Sequence, residues 1–541
     1  MRMYRLGLAC VSMCLVLSGC ADNGPDVTNE PKDNPPPASP NGIPGEDGTW
    51  TGQPTGEDHA PGEMDDVDST DVIITHTERF YTSVGIAVRS KDLSSNPPEL
   101  LVRTRTGFTR YTGAPSSEGY RFPSVPEGEY YLKTGSAYVV TDERRVEIGR
   151  HYLGRQDAVA TSDYLTPAYL NLTNLAPWQA PAGVGYSVGS RLQIVSGQVD
   201  LSADVFIYDH VAAGQTQLNV QDAQAYGLSG NFPIFEAAKG DRLYVNQFSD
   251  IFGAPLPNGE PLVASALVRS AQLPALNFTA DGVTPLVIIG AMQDVPMTDV
   301  SFEWRLGNYA SVATEIHPAA TAHIPTFYIE PSAHGPQEGW VGYSGELFSL
   351  LLPRGTSHTI ADRLPYGNPY PSSWRPVGTA TYQYRLLEPL PGDTTFARIV
   401  TGSLLTSDYL ENLVASPITP ALTPPRALSI DGIPATSQRV VGNTSPIITW
   451  QPPANGAPTA YRVRLIRYIN NSASTQTTLY LPGTATEVRL PVGTLAPNAI
   501  YSVRLTALDS PHQEVTREPF TIFEKLPLHT ADTISSLFTT P

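Results

Sequence analysis

Tyr461-Arg462-Val463-Arg464-Leu465 alternates a ring or branched side chain with arginine, so Tyr461, Val463 and Leu465 share one face of an extended strand. Upstream, Ile447-Ile448-Thr449-Trp450-Gln451-Pro452-Pro453 is another short strand, stopped by a proline pair that turns the chain. Downstream, Leu495-Ala496-Pro497-Asn498-Ala499-Ile500-Tyr501-Ser502-Val503-Arg504-Leu505-Thr506-Ala507 runs from a turn into a further strand. A tyrosine at that position can send its hydroxyl back to the backbone and fix a loop between two sheets.

With Trp450 ahead of a proline turn, Tyr461 opening the next strand and Tyr501 at the corner, residues 424–525 resemble a fibronectin type III domain. The resemblance implies a β-sandwich that, in bacteria, spaces or presents its neighbours. The chain has no Arg-Gly-Asp tripeptide to suggest integrin-type adhesion, and residues 526–541 read as a C-terminal tail.

At the other end, Arg2 and Arg5 precede an apolar run, Leu6 to Leu17, which is shorter than the about 20 residues a membrane-spanning helix needs. Leu17-Ser18-Gly19-Cys20 follows and resembles the lipobox of bacterial lipoproteins, which implies that residues 1–19 are removed and Cys20 is acylated. Several attached acyl chains hold a protein on a membrane far more firmly than one. The other cysteines, Cys10 and Cys14, leave with the signal peptide, so no disulfide or cysteine metal site is expected in the mature chain. Ala21 rather than Asp follows Cys20, which favours an outer membrane over an inner one in cells that have both.

Residues 20–70 carry Pro35-Pro36-Pro37, repeated glycine and almost no large apolar side chain, so they read as a disordered acidic linker. As a coil of about 50 residues it would reach roughly 40 Å. Asp65-Asp66-Val67-Asp68-Ser69-Thr70-Asp71 places oxygens at alternate positions but lacks the turn glycine and closing glutamate of a calcium loop, and reads as part of that tether. Much of the net charge of -18 lies here. With no basic cluster elsewhere, nucleic acid is not an expected partner.

The chain as a whole has 51 Pro and 44 Gly, which favours short strands and turns over long helices. The expected class is all-β: several antiparallel β-sandwiches in series. In residues 71–155 the clearest feature is Tyr120 to Lys133, read as a hairpin with Tyr120 and Phe122 on one face, Tyr130 and Leu132 on one face, and a Pro126-Glu127-Gly128 turn between. Phe-x-x-Val-Pro-x-Gly-x-Tyr-x-Leu resembles the prealbumin-like sandwiches related to carboxypeptidase regulatory domains, which implies a spacer or binding module.

Residues 156–423 form a central β-rich region, one domain or two. Strand-like segments such as Arg191 to Val195, Asp204 to Tyr208, Leu262 to Val268, Thr326 to Ile329 and Thr381 to Leu386 alternate with turns such as Pro257-Asn258-Gly259 and Asp281-Gly282. One short helix is expected around Asp408 to Val414, and no internal repeat supports a propeller or solenoid.

Catalytic signatures are weak. Gly185-Tyr186-Ser187-Val188-Gly189 fits the nucleophile elbow of α/β-hydrolases, but that chemistry needs a strand before the serine and a helix after it, and neither is expected here. His317 and His323 lack further ligands at metal-binding spacing. Glu303, Glu315 and Glu330 sit in strand-like stretches and read as solvent-facing. No catalytic residue, metal or cofactor is assigned. The candidate ligand-binding residues are Tyr366, Tyr370 and Trp374, whose rings a Pro-rich loop could present to a sugar or a partner chain.

The expected function is an envelope-anchored lipoprotein that binds or scaffolds at the cell surface, held to the membrane through Cys20, with a glycan or an envelope protein as partner. The competing expectation is a tethered extracytoplasmic hydrolase with its active site in residues 156–423.

Overall fold

Turns every few residues and β-branched runs between them leave little room for helix, and the computed structural model is all-β, with only short helical turns. It describes residues 70–334, 339–391, 393–469 and 472–541; the signal peptide, Cys20 and nearly all of the acidic linker lie outside these. Among the described residues no helix is long and apolar enough to cross a membrane. The expected short helix is Leu410–Leu413, shorter than its sequence bounds because Asp408 and Tyr409 end the preceding strand.

The first module packs two sheets. One has the order Arg145–Glu147, Val72–Thr75, Gly119–Phe122, Ala114–Ser116; the other runs Phe108–Tyr111, Glu99–Arg103, Tyr130–Thr134, Ala137–Thr141. Val72, Ile74, Leu100, Phe122, Tyr130 and Leu132 meet between them. The expected hairpin is therefore corrected: Gly119–Phe122 and Tyr130–Thr134 belong to different sheets. Val125, in the middle of their connection, is fully buried and its N–H donates to the Thr70 carbonyl at 2.7 Å, so the chain crosses over the core instead of turning back beside itself.

The central region has two apolar cores. The strands Leu165–Thr173, Arg191–Ser196, Leu201–Ile207, Leu218–Gly227 and Leu286–Ala291 enclose one, lined by Leu170, Ile194, Ala203, Val220 and Ile288. The ribbon of Met297–Arg305 paired with Thr359–Gly367 covers the other, which holds Trp304, Tyr309, Phe327 and Tyr382. The cores share the long hairpin Tyr244–Pro255 with Pro261–Gln272. Val245 lies in the first and Phe248 in the second. An odd separation puts these two on opposite faces, and a bulge that leaves Val268 unpaired flips the facing strand to match.

Residues 426–539 form a fibronectin type III-like β-sandwich. One sheet has the order Ile433–Pro434, Arg426–Ile430, Ile447–Gln451, Glu487–Arg489. The facing sheet runs Ser472–Pro482, Ala460–Ile469, Ile500–Asp509, and then both Leu528–Ile534 and Phe538–Thr539. Trp450 meets the Tyr461 ring at 5.2 Å, and the Tyr501 hydroxyl accepts the Ala496 N–H at 2.9 Å, closing the corner. Residues 526–541 are thus strands and not a tail. Their polar look comes from buried pairing: Asp532, 1% exposed, accepts hydrogen bonds from Arg504 and Thr506.

Backbone pairing continues from module to module. Ala137–Thr141 of the first sandwich pairs in parallel with Ser472–Pro482, Leu528–Ile534 pairs with the central strand Asp393–Tyr409, and Phe348–Leu351 pairs with Pro261–Gln272. Among the described residues, 22 strands join in one sheet.

Candidate functional site

A set of buried ionisable groups lies where the two central cores meet. Arg191 and Gln193 come from one strand, Asp204 from its neighbour, Glu330 from the strand Thr321–Pro331, and Tyr343 and Glu346 from the segment leading into Phe348–Leu351. Arg191 Nη2 donates to Glu346 Oε2 at 2.5 Å, its Nη1 is 3.5 Å from Asp204 Oδ1, and its guanidinium lies 4.0 Å from the centre of the Phe248 ring. Gln193 joins both sides: its Nε2 donates to Asp204 at 3.1 Å and its Oε1 accepts the Glu346 N–H at 2.9 Å. Tyr343 donates to Glu346 Oε1 at 3.3 Å. Gly345, at φ 81°, is needed there, because a Cβ would lie 2.5 Å from Gln193 Oε1.

Burial sets the electrostatics. It pushes the Glu330 carboxyl up to about 8, with the nearby Glu346 charge adding to the effect, and it raises Asp200 to about 7. Asp204 is also raised by burial and Glu346, against the pull of Arg191. Burial opposes the Arg191 charge, but Glu346 and Asp204 outweigh it and hold the guanidinium ionised. The arrangement is one cation shared by two acids, with a neutral Glu330 beside them. It clamps two cores together through Glu346, which Arg191 and Gln193 tie to the first core's strands, while the contacts to Asp204 stay within that core's sheet.

Sequence reasoning singled out Glu330 but placed it in solvent, and it did not single out Arg191, Asp204 or Glu346. Glu330 is only 6% exposed because Thr321–Pro331 is an interior strand buried on both faces along its second half. The signal available was Ile324 to Ile329, an uncharged run of the kind that doubly covered strands show. Glu303 is half-buried and paired with Arg305 at 2.6 Å, and Glu315 lies in the short helix Ala313–Ile316, not in a strand.

Tyr366, Tyr370 and Trp374 are brought together, but inside. Each is buried in the second central core, which corrects the expectation of a displayed aromatic surface. Tyr370 stacks on Trp374 at 4.8 Å and 16°, Tyr244 meets Tyr370 edge-on at 4.8 Å, and Asn246 donates to the Tyr370 hydroxyl at 2.8 Å. The prolines stiffen the loop so that it seals the core, with Trp374 so close to Gly197 that a Cβ there would sit 2.8 Å from the indole.

The remaining sequence candidates are apart from one another. Ser187 Oγ donates to Asp250 Oδ2 and accepts the Ala182 N–H at 2.6 Å; Gly189 N–H also donates to Asp250, at 3.0 Å. These bonds clasp a loop, and among the described residues no histidine hydrogen-bonds to Ser187. His317 bonds to Ser536 at 3.1 Å and accepts the Ala319 N–H, while burial with Arg354 and Arg385 holds His323 down to about 4. Among the described residues no group of three or more His, Cys, Asp or Glu is placed to hold a metal ion.

No protein-family model matches the chain, and no curated protein matches it. Among solved structures, a crystal structure of the FN1–FN3 domains of chicken CNTN1 aligns with 64% of this chain and 94% of its own, at 9% identity and a TM-score of 0.13. A likeness that loose carries no inference about activity. The chain is an all-β, multidomain protein with one fibronectin type III-like sandwich, on the strength of its own sheets, Trp450 and the Tyr501 corner.

Proposed function

We propose that the protein is an envelope-anchored lipoprotein, held by acylated Cys20, whose β-sandwiches act as one stiff scaffold for binding or display at the cell surface. The observation that carries the scaffold is the backbone pairing between modules, which replaces flexible linkers with shared sheet. A protein built to present a surface at a fixed distance gains from such joints, because relative domain motion is otherwise the default. The acidic segment from Asp22 to Asp68 supplies the spacer and the lipobox supplies the anchor. The partner in this reading is a glycan or another envelope protein.

Cell fractionation tests the anchor. Cys20→Ser is expected to move the protein out of the detergent-extracted membrane fraction by about tenfold or more, since acyl chains supply nearly all the membrane affinity. Equal membrane retention of the variant would sink the lipoprotein reading. For the scaffold, small-angle scattering on the chain from Ala21 should give one fixed arrangement of modules; a broad distribution of inter-module distances would argue against it.

A further inference from the structure

The joined sheet ends at the strand Leu286–Ala291, which pairs in parallel with Leu165–Thr173 on one side only. Apart from the carbonyl of Ala291, which accepts from Gln293, no described backbone or side chain hydrogen-bonds to this strand beyond that pairing. Leu286 and Ile288 point into the first central core, whereas Val287 and Ile289 on the outer face are 50% and 51% exposed. From Gly282 to Gln293 the sequence has no charged residue.

That combination sets this edge apart. Free sheet edges invite a further strand, and proteins guard them with charges, prolines, bulges or short length. Among the described residues, every other free-edged strand of four residues or more carries a charge: Arg89 in Gly85–Ser90, Arg110 in Phe108–Tyr111, Asp299 in Met297–Arg305 and Asp362 in Thr359–Gly367. On a chain of net charge -18, another copy is repelled at most approaches, and this strand offers one without like charges.

We propose that Leu286–Ala291 is a self-pairing edge through which two copies of the chain join their sheets antiparallel about a two-fold axis. The strand is self-complementary in the register centred on Ile288. Val287 then lies opposite Ile289 of the second copy, and Ile289 opposite Val287, so both cross-strand pairs on the outer face are β-branched, which is the favourable case. Centring on Ile289 would instead set Val287 against Ala291. A six-residue strand pair buries less than the about 1,000 Å² that a stable interface needs. The dimer is therefore weak in dilute solution, and confinement of the chains to one surface raises its population. This rests on the scaffold reading only for that last effect.

Sedimentation equilibrium on the chain from Ala21, which keeps every described residue and contains no cysteine, should show a monomer–dimer equilibrium that shifts with concentration. Ile289→Lys and Val287→Lys sit at half-exposed positions and should weaken it by about tenfold or more while leaving the melting temperature unchanged. In the double variant Val287→Cys/Ile289→Cys, oxidation should trap a covalent dimer, and neither single cysteine should do so efficiently. A monomer at all concentrations overturns the proposal. So does a dimer insensitive to both lysines, or a monomer that takes up a foreign extended peptide along this edge. Lost membrane retention in Cys20→Ser bears on the anchor alone and leaves this result separately readable.

Discussion

Glu330 is a residue whose chemistry departs from what its neighbours in the chain suggest. Burial beside Glu346 raises its carboxyl to about 8 in the folded protein, against an ordinary value near 4.5 in the unfolded chain. A raised folded value means that the neutral form is the stabilising one. Its contribution is complete below the unfolded value and is lost progressively as pH rises through about 8. Glu330→Gln keeps the neutral shape, so the variant should be more stable than the parent at pH 8 by about 2–4 kcal/mol and equal to it near pH 4. Asp200, raised to about 7, adds a slope of the same sign, and His323, held down to about 4, adds one of the opposite sign. Only the difference between parent and variant isolates Glu330; equal denaturant midpoints for the two at pH 8 would place its carboxyl in water. The residue was visible in the sequence but its environment was not. Alternation assigns a polar strand residue to solvent, and nothing local reports that a second core lies on that side.

At the scale of single elements, the loop from Tyr366 to Trp374 shows what a composition of prolines and rings can and cannot say. Rigid aromatics in a loop either face a ligand or close a core, and the side chains alone are the same in both cases. The stacking of Tyr370 on Trp374 and the contact of the indole with Gly197 decide for the core. Trp374→Ala should then cost about 3–5 kcal/mol in denaturant unfolding, the range for emptying a buried aromatic site. A variant as stable as the parent would return the ring to the surface. Tyr501→Phe should cost less, about 1 kcal/mol, because it removes one acceptor from the half-buried Ala496 N–H and leaves the ring packed. Strand positions were legible because β-branched runs between turns are a local signal: the strands Arg191–Ser196, Pro261–Gln272 and Ala460–Ile469 each contain, and extend beyond, the segment the sequence marks. Pairing was not. Whether Gly119–Phe122 turns back on Tyr130–Thr134 or crosses to the other sheet depends on where Val125 goes, and its burial is set by residues distant in the chain.

At the scale of the molecule, the joints between modules decide how it responds to load. The fibronectin type III-like sandwich is tied to the central region by Leu528–Ile534, which pairs with Asp393–Tyr409 on one side and Ile500–Asp509 on the other. Asp532 sits in that strand and accepts from Ser403 N–H at 2.7 Å and Ser403 Oγ at 3.0 Å across the joint, and from Arg504 Nε at 2.8 Å within the sandwich. Its carboxylate stays ionised although buried, because Arg504 outweighs the cost of burial. Asp532→Ala leaves the Arg504 charge without this carboxylate, a change that costs about 3–5 kcal/mol when the site is buried. Because the lost bonds span two modules, the cost should appear as lost coupling. Calorimetry of the parent chain should show the central region and the C-terminal sandwich melting in one transition, and the variant should split it, with the sandwich melting at the lower temperature. If the parent already melts in separate steps for these two parts, the shared sheet does not couple them, and the molecule behaves as a string of independent sandwiches in spite of its paired strands.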